Sequence, residues 1–121
     1  MLFAEGRYSE AAQQLAALTV GGFATPEVFT LLARCCANEG KLTEARDWSD
    51  QAIARAKLSP GLHYLRATIL QEQGDFVEAA SSLKRALYLD PDFVLAHFAL
   101  AHLALRRQKS RLATKHFENV L

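Results

Sequence analysis

Residues 71–91 read QEQGDFVEAASSLKRALYLDP, and the landmarks of this stretch recur elsewhere in the chain at one fixed interval. Gly74 has counterparts at Gly40 and Gly6, Glu78 at Glu44 and Glu10, and Ala79 at Ala45 and Ala11; every step is 34 residues, and Ala113 continues the alanine column. A second column of small residues, Ala33, Ala67 and Ala101, keeps the same step. Self-similarity at a period of about 20–50 residues marks a stacked repeat array, and this period points to a helix–turn–helix unit. An array of this kind offers a long continuous surface and no enclosed pocket.

Within each unit the apolar residues recur at three and four, the spacing of amphipathic helices. Thr25 followed by Pro26 reads as an N-cap with proline in the first turn, and Ser59-Pro60 repeats the arrangement. Gly21-Gly22, Gly40 and Gly74 close helices, because glycine readily takes the left-handed conformation that ends one. The pattern predicts helices over about 7–20, 26–39, 42–57, 61–73, 76–89, 93–107 and 110–121. The small columns let paired helices approach closely, while Leu32, Leu70, Leu83, Leu100 and Phe117 fill the space between layers.

The glycine, acidic residue, aromatic, Glu-Ala pair, second alanine and proline of Gln71–Pro91 resemble the tetratricopeptide repeat (TPR) in order and spacing. The resemblance implies an all-α fold: a right-handed superhelix of about three helix–turn–helix units after a partial first one. It divides residues 1–121 into a partial repeat 1–25 and repeats 26–59, 60–93 and 94–121, forming a single array. Departures are visible. His63 and His97 replace a large aromatic, Ser49 an aromatic or leucine, Lys57 the closing proline and Gln108 the last glycine. Counting back one period from Pro26 places the first unit's start before Met1, so the chain reads as a piece of a longer protein. The expected consequence is fraying at both ends, or association through the region of Phe117, Val120 and Leu121.

Composition and motifs narrow the function class. The chain has 121 residues, 50% of them apolar, and a net charge of +1, with no overall basic excess for nucleic acid or a membrane surface. No apolar run approaches a membrane span, and the start lacks the layout of a secretory signal. Cys35 and Cys36 are adjacent on a helix, so their side chains diverge; unpaired thiols as buried small residues fit a reducing, cytoplasmic setting. His63, His97, His102 and His116 lack the i, i+4 pairing with a carboxylate that a helical zinc site uses, so no metal is expected. Gly21-Gly22 has no preceding strand or following Lys-Ser/Thr, so it is a loop and not a phosphate cradle. With no nucleophile–base set, the chain is expected to be non-catalytic and to need no cofactor.

In proteins resembling this one, set positions of the first helix of each pair line a concave groove. Carried onto this register, they are Glu27, Thr30, Arg34, Ala37 and Asn38, then Gly61, Tyr64, Thr68, Gln71 and Glu72, then Leu95, Phe98, His102, Leu105 and Arg106. Tyr64 and Phe98 beside Arg34 and Arg106 are residue types enriched at binding hot spots. A TPR subtype grips a C-terminal carboxylate with lysines and asparagines; those positions here hold Thr30, Arg34, Leu65 and Gly61, so that clamp is not expected. The stretch RALYLDPDFVLAHFALAHLALRR, Arg85–Arg107, with the later KHFENVL, is similar to the TPR tail of bacterial chemotaxis-type protein methyltransferases of the CheR class. Those enzymes methylate receptor glutamates with S-adenosylmethionine in a domain ahead of the tail. The likeness implies a regulatory or targeting module whose partner is a chemoreceptor cytoplasmic region or its own catalytic domain. The alternative is an assembly scaffold that self-associates through its terminal helices, giving a weak homodimer.

Overall fold

The protein is described by a computed structural model covering residues 8–22 and 24–120, excluding the side chains of Ser9, Ser110 and 112–120. Six helices follow one another: α1 (Tyr8–Val20), α2 (Pro26–Asn38), α3 (Leu42–Arg55), α4 (Pro60–Glu72), α5 (Phe76–Leu89) and α6 (Val94–Val120). There is no strand among the described residues. The expectations for Gly6, Met1–Ala4 and Leu121 fall outside the described residues, as do those for the side chains of Ala113, His116, Phe117 and Val120.

The reversals between paired helices share one construction. Gly40 and Gly74 have φ of 79° and 82°. The amide of Gly40 donates to Ala37 O and that of Lys41 to Cys36 O; one repeat later Gly74 donates to Gln71 O and Asp75 to Leu70 O. These paired bonds satisfy the carbonyls that a helix end leaves open. A Cβ at either glycine would meet nothing within 4 Å, so the backbone angle alone, and not crowding, favours glycine there. Helix starts are less uniform. Thr25 accepts from Val28 N and Asp75 from Glu78 N, whereas Ser59 occupies its N-cap position without a side-chain bond to the helix.

The reversals bring the two alanine columns together. Ala33 packs with Ala45 in a cluster with Cys36 and Ile69, while Ala67 packs with Ala79, Leu70, Leu83 and Ala86. All four alanines are completely buried. Ile69 carries the core from the α4–α5 layer into the α2–α3 layer, and Leu62 joins Phe29, Leu32 and Ala52. The core thus runs along the stack as three clusters, with Phe29 stacked on Trp48 at 5.5 Å and Tyr64 on Phe93 at 5.3 Å.

The last unit departs from the sequence-based expectation. Helices at 93–107 and 110–121 were expected, but α6 runs unbroken for 27 residues from Val94 to Val120. Gln108 stands one period after Gly74, and without glycine the left-handed turn is disfavoured, so the helix continues. The helix leaves the core after Leu103, since Ala104–Lys109 are all exposed. Ala101 was expected to meet a paired helix and is instead exposed.

Because Ala79 has no free surface, Ala79→Leu should overpack the α4–α5 contact and destabilise the fold by about 1–3 kcal/mol in denaturant titration. Unchanged stability would mean that these helices are not held at close approach.

Candidate functional site

A cavity lies between the repeats on each side of α4. The first, about 190 Å³, is lined by Arg34, Ala37 and Asn38 of α2 and by Leu65, Thr68, Ile69 and Glu72 of α4. The helical spacing of these residues presents one stripe of each first helix to the same groove. Leu65 and Ile69 supply apolar contact, while Arg34 and Glu72 supply opposite charges whose side chains make no ion pair with a described residue. Asn38 Nδ2 donates to Arg34 O at 3.0 Å, and Thr68 Oγ1 donates to Tyr64 O at 3.1 Å. These local bonds fix both rotamers at the rim.

Of the residues expected in the groove, Arg34, Asn38 and Thr68 come together here, with Ala37 and Glu72. The others lie outside this cavity. Glu27 is exposed in the first turn of α2, and Thr30 is half-buried with Oγ1 donating to Pro26 O at 2.7 Å. Tyr64 is half-buried against Phe93, and Gln71 is half-buried. Phe98 is 70% exposed on α6, beside exposed Leu95, His102 and Leu105. Arg106 turns to α5, where its guanidinium carbon sits 4.5 Å from the Phe76 ring centroid.

The second cavity, about 240 Å³, has a polar lining from Asp50 and Ile53 of α3, His63 and Arg66 of α4, and Glu78, Ser81, Ser82 and Arg85 of α5. Arg66 dominates it. Its Nε donates to Asp50 Oδ1 at 2.8 Å and its Nη1 to Ser82 Oγ at 2.7 Å, with Glu78 Oε2 3.6 Å away. One guanidinium thus joins three helices of two successive repeats. The sequence reading missed this cluster. Its signal was there: Arg66 stands in a column otherwise occupied by Leu32 and Leu100, and Ser82 stands one period after Trp48.

Two histidines, His63 and His97, have backbone roles. His63 Nε2 lies 3.0 Å from Lys57 O and His97 Nε2 lies 2.7 Å from Pro91 O. A carbonyl only accepts, so each Nε2 carries the hydrogen and ties the first helix of a repeat to the loop before it. Cys35 and Cys36 are buried and free. Burial first, and a nearby carboxylate next (Glu39 for Cys35, Glu44 for Cys36), push both thiols above their ordinary range. They therefore lack the thiolate character of reactive cysteines. Among the described residues no group of three or more His, Cys, Asp or Glu is placed to hold a metal ion. None of the helices is long and apolar enough to cross a membrane among those described.

Two family models, each described as tetratricopeptide repeat, match residues 2–61 and 60–93, and together they span most of the chain. The chain belongs to the tetratricopeptide repeat family. Among solved structures, a crystal structure of MamA protein superposes with a TM-score of 0.81 at 17% identity, covering 97% of this chain and 64% of that one. The chain thus spans less than two thirds of that MamA chain. The Yersinia enterocolitica type III secretion translocator chaperone SycD, in an alternative dimer, gives 0.80 at 20% identity, covering 88% of this chain and 86% of that one. A second SycD structure gives 0.79 at 22%, covering 88% and 79%. At these identities the likeness is one of fold. No curated protein sequence matches the chain. As a TPR array, the chain is a protein–protein interaction module.

The Arg66 cluster generates a stability prediction. Arg66→Ala removes two short charge-assisted bonds and should destabilise the fold by about 1–2 kcal/mol, whereas Glu78→Ala, at the 3.6 Å contact, should change it by less than about 1 kcal/mol. Equal effects in chemical denaturation would show that Arg66 is not the joint between these repeats.

Proposed function

We propose that the groove between α2 and α4 binds an extended or helical segment of a protein partner. The observation that carries this reading is the pair Arg34 and Glu72, opposite charges with no ion-pair partner among the described residues, flanking the apolar floor of Leu65 and Ile69. A ligand side chain of either charge finds a counter-ion there, and an apolar one finds dry contact. The exposed Leu95, Phe98 and Leu105 of α6 extend the recognition surface beyond the cavity. In this reading Glu27, Thr30, Tyr64, Gln71, His102 and Arg106 flank the bound segment, and the repeat divisions at 26, 60 and 94 set the spacing of its subsites.

A finer version makes the module the targeting tail of a cytoplasmic chemoreceptor glutamate methyltransferase, engaging the receptor's cytoplasmic region or its own catalytic domain. Its support is the sequence likeness of Arg85–Arg107. The binding reading itself does not depend on that host.

A random peptide library displayed on phage and selected on the full chain tests the groove. Selected peptides should lose about tenfold or more in affinity for Arg34→Ala, the range of a single hot-spot truncation, while circular dichroism stays unchanged. Peptides that bind the wild type and Arg34→Ala equally would move recognition away from this groove.

A further inference from the structure

The outer face of α6 is bare where the matching faces of α2 and α4 are covered. Three columns establish this. Phe29, Ala33 and Cys36 are 4%, 0% and 3% exposed on α2, and His63, Ala67 and Leu70 are 5%, 0% and 0% exposed on α4. The residues one period later, His97, Ala101 and Ala104, are all exposed. In the first two cases the covering element is the helix that follows the glycine turn, α3 over α2 and α5 over α4. On α6 these positions fall on one stripe that adjoins Phe98 and Leu105, three residues before and four after Ala101, and that shares no residue with the cavity between α2 and α4.

Charge specifies the occupant. Between Asp92 and Glu118 the sequence has no acidic residue. Arg107 and Arg111, which follow the stripe, are exposed and have no partner among the described residues. The helices that cover α2 and α4 each bring a glutamate in their first turn, Glu44 and Glu78, set against the helix beneath: Cys36 Sγ, near the end of α2, lies 4.0 Å from Glu44 Oε2, and Arg66 Nη1, midway along α4, lies 3.6 Å from Glu78 Oε2. The chain's own segment 110–121 carries Leu112 at that place, and brings Arg111 and Lys115. Residues 110–120 also continue α6 along its axis, and so lead away from the stripe.

We propose that the stripe of His97, Ala101 and Ala104, bordered by Arg107 and Arg111, docks an acidic amphipathic helix of a protein partner in the place that α3 and α5 hold on their own helices. The exposed alanines admit a close helix–helix approach, and the two arginines select acidic residues at the start of the incoming helix. A second copy of α6 would bring further arginines to the same place, which like-charge repulsion opposes.

The test uses a fluorescently labelled peptide of residues 75–90, the chain's own covering helix α5, made more acidic by Lys84→Glu and Arg85→Glu. A control peptide carries lysine in place of Asp75, Glu78 and Asp90. Anisotropy titration with the full chain should show the acidic peptide binding about tenfold or more tighter than the control, weakening as ionic strength rises. Ala101→Trp, which fills the exposed seat without touching the core, should abolish binding at unchanged helicity, and Arg107→Glu with Arg111→Glu should reverse the peptide preference. Equal binding of both peptides, or binding indifferent to Ala101→Trp, overturns the proposal. So does a chain dimer in sedimentation that Ala101→Trp dissolves, since the occupant is then a second copy. Acidic-peptide binding that emerges only after deletion of residues 110–121 also overturns it, because that segment then holds the seat. Loss of peptide binding in Arg34→Ala but not in Ala101→Trp would place the ligand in the groove instead, separating this proposal from the preceding one.

Discussion

Each helix pair in this protein depends on one backbone reversal. A helix ends with four carbonyls that have no partner, and the chain turns back only if a residue takes positive φ at low cost. Gly40 and Gly74 do so and return two amides to the helix just completed. An L-residue there would cost about 1–2 kcal/mol. Where Gln108 replaces the glycine one period after Gly74, α6 continues to Val120. The presence or absence of a single Cβ thus separates a covered helix from a bare one.

What the reversal makes possible is the alanine contact. Once α3 lies on α2 and α5 on α4, Ala33, Ala45, Ala67 and Ala79 lose all accessible surface, and larger residues such as Ile69 and Leu83 fill the spaces between layers. Arg66 then sets one layer against the next through Asp50 and Ser82. With successive first helices held side by side, the residues of α2 and α4 that face neither partner line a shared groove. The proposed binding surface is a product of the stacking geometry, since Arg34 and Glu72 come from different repeats.

The period, the helix order up to α5, the buried alanines and the closing glycines were legible in the sequence because each arises from a local rule applied at a fixed step. The lining of the cavity between α2 and α4 was legible in part, and for the same reason. Arg34, Asn38 and Thr68 project to one side by helical spacing alone, whereas Tyr64 is drawn against Phe93 and Arg106 over Phe76 by ring contacts that no register encodes. The Arg66 cluster was harder to see because its partners, Asp50 and Ser82, lie sixteen residues before and after it. The continuity of α6 is not legible from the alanine column, because Ala113 keeps the 34-residue step while Gln108 lacks the positive-φ turn that a helix pair needs before it.

The reversal rule is tested most directly at Gln108. Backbone chemical shifts and amide exchange measured by nuclear magnetic resonance through residues 104–112 report helix continuity residue by residue. The account predicts uninterrupted helical shifts and sequential amide contacts across Gln108, against a sharp left-handed signature at Gly40 and Gly74. A positive-φ residue or a break in helical contacts between 106 and 110 would contradict it, and would mean that the last repeat reverses without glycine.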